Sequence, residues 1–120
     1  MPDQDDVRRI ALGLPGSEAE GAMAYRVKGK LFAWPWLERV DPKRARVARL
    51  DVLAVRVASE LEKQALLAMD PEVFFTEPHY DGWPAILVRL PAMEMDLLEK
   101  VMTDAWRVQA PRAFVKELDA

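Results

Sequence analysis

Apolar residues at Val7, Ile10, Ala11 and Leu14 recur at i, i+3, i+4 and i+7, which is one stripe of a helix. Asp3 or Asp5 can cap its start, and Leu14-Pro15-Gly16 ends it. "SEAEG", 17–21, reads as a polar connection. "AYRVKGKLFAW", 24–34, reads as two strands around a Lys28-Gly29 hairpin turn, where Gly29 supplies a positive φ. A two-residue turn sets Val27 opposite Lys30 and Tyr25 opposite Phe32. Met23, Tyr25, Val27, Phe32 and Trp34 then share one face, and Arg26, Lys28, Leu31 and Ala33 the other. "PWLERVDPKRARVARLD", 35–51, keeps no clean period and reads as a long excursion or as a strand extension with a helical turn. "VLAVRV", 52–57, is a third strand, with Leu53, Val55 and Val57 facing opposite to Val52, Ala54 and Arg56.

Ser59 and Glu62 form a capping-box pattern. The helix it opens runs through Leu61, Ala65, Ala68 and Met69 and stops at Asp70-Pro71. "VFFTE", 73–77, is a fourth strand and "PAILVRL", 84–90, a fifth. A third helix spans Glu94 to about Ala110, with Met95, Leu98, Val101, Met102 and Ala105 as its stripe, and Pro111 ends it. The order is helix, three strands, helix, two strands, helix. Antiparallel hairpins with the helices collected on one face make a two-layer α+β sandwich, expected to occupy 1–120 as one domain. Tyr25, Phe32, Val55, Val88, Leu98 and Val101 are the expected core.

"FFTEPHYDGWP", 74–84, contains the sequence's single histidine. Glu77, His79 and Asp81 alternate, and on a strand they would project to one side, as a metal site or an acid–base pair requires. Alternating polar residues beside a turn are common without function, and a second reading accounts for more of the stretch. Asp81-Gly82 is a type I′ turn signal that sets Tyr80 opposite Trp83 and His79 opposite Pro84. Pro78 fits that register poorly, so either the strand bulges near it or the loop is longer than two residues. His79, Tyr80, Asp81, Gly82 and Trp83 are therefore assigned, with Gly29, to structural hairpins whose aromatics anchor them to the sheet.

Composition narrows the chemistry. A hydrophobic content of 51% fits a globular protein rather than a disordered one. The absence of cysteine excludes disulfides, thiolate catalysis and iron–sulfur clusters. Ser17 and Ser59 sit in no G-x-S-x-G elbow, and "KGK" is no phosphate loop. No catalytic residue, metal ligand or cofactor is assigned, and a non-enzymatic role is expected. "MPDQDD" lacks the features of a secretory signal and no apolar run is long enough to span a bilayer, so cytoplasm is the expected location and no membrane the expected partner.

Net charge is −3, yet Arg26–Arg56 carries nine basic residues against three acidic ones. Arg26, Lys28, Arg56 and Arg89 point away from the expected helix layer, mixed with Leu31, Ala33, Val52, Ala54 and Leu87. The plain reading of that face is a solvated antiparallel surface. Its apolar component points to a partner or to self-association. Trp34 and Trp106 read as core, whereas Trp36 and Trp83, near hairpin ends, fit packing and base stacking equally well.

Four segments carry a family resemblance: "ALGLPGSE", 11–18; "VKGKLFAW", 27–34; "HYDGWPAILVRL", 79–90; and "AWRVQAPRAF", 105–114. In order and spacing they resemble the MmcQ/YjbR family. The resemblance implies a secretion-chaperone-like α+β fold of order α-β(3)-α-β(2)-α, and a DNA-binding role through a double wing of two hairpins. The stretch 38–50 is more crowded with basic residues than the family's usual connection. The expected function is a binding module that engages DNA through Arg26, Lys28, Lys30, Arg56 and Arg89. A protein–protein adaptor or chaperone-like homodimer is the alternative. A small-ligand binder or enzyme using the His79 loop is the third.

Overall fold

The structure is a computed structural model that describes residues 2–21, 23–38, 43, 45 and 47–120. Helix α1 (Gln4–Leu12) starts with a full capping box. The Asp3 carboxylate accepts from the Asp6 amide at 3.1 Å, and the Asp6 carboxylate accepts from the Asp3 amide at 3.0 Å. Val7, Ile10 and Ala11 are its buried stripe.

Residues of the expected polar connection form a strand instead, β1 (Ser17–Glu20), paired antiparallel with β2 (Ala24–Val27). Glu18, Ala19 and Glu20 are exposed, so no apolar alternation marks this edge strand. Its carboxylates suit an edge that must not recruit another chain. β2 turns into β3 (Lys30–Glu38) through Lys28 and Gly29, both at positive φ (52° and 80°), a type I′ turn. Val27 lies opposite Lys30 as the spacing predicts, but the register then shifts and Tyr25 faces Ala33. The bulge turns Ala33 into the core beside Tyr25 and Phe32, and sends Trp34 to the opposite face.

β4 (Val47–Arg56) begins five residues before the predicted third strand, so the unreadable stretch is in part strand extension. Its middle, residues 39–42, 44 and 46, lies outside the described residues, and with it the expectation of a helical turn. Helix α2 (Glu60–Met69) is capped by Ser59. Next come β5 (Phe74–Phe75), β6 (Ala85–Arg89), α3 (Met95–Gln109) and α4 (Arg112–Asp119). The sheet order is β1-β2-β3-β4-β6-β5, antiparallel throughout.

Two helical expectations change. Pro111 ends α3 but also caps a fourth helix, since its φ of −60° suits a helix start. On α2 the predicted stripe faces solvent: Leu61 is 82% and Met69 58% exposed, and Ala65 and Ala68 are exposed too. Lys63 is buried instead, with Leu66 and Leu67 packed against the core. Apolar residues surround this short helix, so periodicity singles out no one side.

All four helices contribute side chains to one cluster on one face of the sheet. Tyr25, Phe32, Val55, Val88, Leu98 and Val101 are buried there as expected. The other face is not a solvated surface. Val52, Ala54 and Leu87 are buried on it, beneath Trp34, Trp36, Phe75 and Tyr80. This α+β fold places a second, aromatic layer where the alternation of the strands predicts water.

Candidate functional site

The loop between β5 and β6 adds Tyr80 to this layer, beside Trp34 and Trp36 of β3 and Phe75 of β5. β5 has only two residues, and it pairs Phe74 with Val88 and Phe75 with Leu87, one residue out of the predicted register. The two-residue hairpin is replaced by a longer loop, 76–84. Pro78 opens a 3-10 turn, Pro78–Tyr80, for which its fixed φ is suited and its missing N–H is harmless. Asp81 (φ −63°, ψ 126°) and Gly82 (φ 77°) follow as a type II turn closed by Trp83 N–H to Tyr80 O at 3.0 Å. A type I′ turn would need Asp81 at positive φ as well. The 3-10 turn also removes the alternation that would set Glu77, His79 and Asp81 on one side. Among the described residues no group of three such side chains could hold a metal ion.

Lys63 holds this loop from below. It is 1% exposed, and its ammonium donates to the carbonyls of Tyr80 (2.5 Å) and Trp83 (3.2 Å), the two ends of the type II turn. No carboxylate lies within ion-pair distance of it among the described residues. Sequence reasoning missed Lys63, because a lysine on a short capped helix carries every sign of a solvated residue. Tyr80 packs on the Val52, Ala54 and Leu87 cluster, and its hydroxyl accepts from Trp34 Nε1 at 3.2 Å. Trp83, expected to anchor the hairpin, is 57% exposed.

Beside this loop opens a cleft of about 510 Å³. Arg26 and Leu31 of the first hairpin, Trp34 and Arg56 form its sheet side, and His79, Tyr80 and Trp83 close it from the loop. Gln109, from the end of α3, lines it as well, with Nε2 bound to Leu31 O at 2.9 Å. Among the described residues, no carboxylate lines this cleft. Arg56 Nε is buried without a hydrogen-bond partner among the described residues. Arg26 is braced by Glu20 at 2.8 Å and Gly29 O at 2.9 Å. His79 Nδ1 lies 3.2 Å from Glu77, and the imidazole is largely exposed.

The five cations expected to contact DNA thus divide. Arg26 and Arg56 share the cleft, while Lys28 and Lys30 are exposed at the tip of the hairpin outside its lining, Lys30 opposite the core residue Val27. Arg89 stands apart. Its guanidinium lies 4.0 Å over the Phe75 ring and donates to Pro71 O and Glu72 O, both at 3.3 Å. Phase decides this separation: Arg56 pairs with Ala85, and Arg89 with Val52 four residues along β4.

The four sequence landmarks meet in two places. Trp106 Nε1 donates to Pro15 O at 3.0 Å, and Phe114 lies against Gly16, joining the first landmark to the last. Trp34 and Tyr80 join the second to the third at the cleft. Comparison with known proteins agrees with this pattern. Residues 12–108 match the YjbR family model. The uncharacterized proteins Rv2570 of Mycobacterium tuberculosis and Mb2600 of Mycobacterium bovis are each 42% identical over 123 residues, covering 97% of this chain and 95% of their own. The crystal structure of Deinococcus radiodurans protein DR2400, with its DUF419 domain, is similar in fold. Its TM-score is 0.64 at 18% identity, over 96% of this chain and 86% of that one. The family match covers most of the chain, and the landmarks that carry the resemblance pack against one another; this protein belongs to the YjbR family.

Proposed function

We propose that this protein is a non-enzymatic binding module whose partner is nucleic acid, DNA in the first instance, held by the first hairpin and the cleft beside it. The observation that carries this reading is Arg56. A guanidinium whose Nε is buried without a partner destabilises the free protein unless something else requires it. It shares a cleft with Arg26 and the rings of Trp34, Tyr80 and Trp83, a combination suited to a ligand with both phosphates and bases. Lys28 and Lys30 add two exposed cations at the tip of the same hairpin. Anisotropy titrations of a labelled DNA at about 50 and about 200 mM salt test it. Arg56→Met is expected to weaken binding about tenfold while leaving the melting temperature unchanged or raised, because it removes an unsatisfied polar group. Unchanged affinity in the combined Arg26, Lys28, Lys30 and Arg56→Gln variant would overturn the reading.

The exposed stripe of α2, Leu61 and Met69 above all, favours a second reading, a homodimer. Sedimentation across a concentration series tests it: a dimer that Leu61→Glu dissociates supports self-association, and a monomer throughout excludes it.

A further inference from the structure

We infer that the partner of this site is single-stranded, and that it lies along a track crossing the aromatic face from Arg56 to Arg89. This rests on the nucleic-acid reading above and gives it a strand class and a site size. Three cavities on this face adjoin one another. The cleft of about 510 Å³ shares Trp34, His79 and Tyr80 with a neighbour of about 180 Å³. That neighbour shares Trp36 with a third, of about 340 Å³, lined by Phe75 and Arg89. Trp34, Tyr80 and Trp36 are all half-buried, so ring surface remains for stacking. Trp36 also meets Phe75 edge-on at 5.8 Å, and Phe75 in turn carries the Arg89 guanidinium at 4.0 Å. Rings therefore follow one another along the track, with a guanidinium at each end.

Register fixes the length. Arg56 and Arg89 lie on one face, four residues apart along the paired strands, or about 13 Å at strand rise. At a stacked spacing of ~3.4 Å that separation is about four steps, the span of roughly four to five nucleotides. Among the described residues, the carboxylates lining these cavities are partnered: Glu77 by His79 at 3.2 Å and Asp51 by Arg49 at 2.9 Å. A duplex keeps its bases stacked inside and offers none to these rings, whereas a single strand presents both bases and phosphates.

The test uses fluorescein-labelled oligothymidylates of two, four and eight nucleotides, and a hairpin duplex, with the intact protein. The tetranucleotide is expected to bind at least about tenfold more tightly than the dinucleotide, and the octanucleotide more tightly than the duplex. Trp36→Ala is expected to weaken the tetranucleotide about tenfold, while Trp36→Phe retains most of the affinity. Arg89→Gln should lower the salt slope of the tetranucleotide by about 0.7. Duplex binding equal to or tighter than the octanucleotide overturns the track and leaves the broader reading standing. A dinucleotide that binds as tightly as the tetranucleotide, or a Trp36→Ala variant that melts as the wild type and binds as well, overturns it too. Absence of binding to every probe overturns both.

Discussion

At the residue scale, Lys63 carries the most weight for its size. Its side chain fills space beneath the loop 76–84, and its ammonium joins Tyr80 O to Trp83 O. Both carbonyls keep a backbone partner besides, Trp83 N–H on the first and Ala85 N–H on the second. Removing the charge therefore strands no acceptor, while removing the volume leaves a cavity. Lys63→Ala is expected to destabilise by about 2–4 kcal/mol, and Lys63→Met to recover most of it in a chemical denaturation series. In both variants the amides of residues 81–83 should exchange faster, because the tether is gone. The turn itself gives a second contrast. Gly82 sits at φ 77° with nothing within 4 Å of where a Cβ would be, so backbone strain alone opposes a side chain there. Gly82→Asn should cost under about 1 kcal/mol and Gly82→Val clearly more, as read from melting temperatures. Trp83→Ala and His79→Ala should hardly alter stability, since both side chains are largely exposed.

At the scale of elements, α4 depends on one close approach and one ion pair. A Cβ on Gly16 would clash with the ring of Phe114, and Gly16 holds a φ of 69°. Gly16→Ala is expected to displace α4 and lower stability by about 1–3 kcal/mol, with enhanced proteolysis confined to residues after Ala110 as the sign of local undocking. At its far end Asp119 accepts two hydrogen bonds from Arg107, at 2.7 and 3.0 Å. The Arg107 guanidinium holds the Asp119 carboxyl below its usual 3.8. A lowered value means that the contribution is present above the unfolded value and lost as pH falls through the folded one. Docking of α4 should thus weaken below about pH 4, and Asp119→Asn should remove that part of the acid limb, read by hydrogen exchange of α4. Helix α2 supplies the opposite lesson. Leu61, Leu66, Leu67 and Met69 surround it, and the side that is buried is the one carrying Lys63 under the loop and Leu66 and Leu67 against the core.

At the scale of the whole molecule, two unrelated tasks are divided between the sheet faces. One buries the large core against the helices, and the other carries a thin aromatic layer with guanidiniums along it. Much of the first was legible. Dense periodicity specifies α1 and α3, a capping box the start of α1, and a two-residue signal the turn at Lys28-Gly29, because each signal lies within a few residues. Tyr25, Phe32, Val55, Val88, Leu98 and Val101 are buried as expected, whereas Trp34, also read as core, lies half-buried on the opposite face. The candidate site was legible only as a set of residue types. Arg26, Arg56, His79, Tyr80 and Trp83 all drew notice in the sequence, but nothing local places them in one cleft or removes Arg89 from it. That depends on the register of β4 with β6, on a bulge that turns Trp34 over, and on Lys63 rising under a loop 17 residues away. The sequence by itself therefore determined the elements whose stabilising partners are their own neighbours, and the larger core with them. Only the tertiary structure decided that Ser17–Glu20 is a strand, which side of α2 is buried, and that the second face is covered. Each of these rests on backbone or side chains supplied from distant parts of the chain, and a periodicity within one segment carries no record of what packs against it.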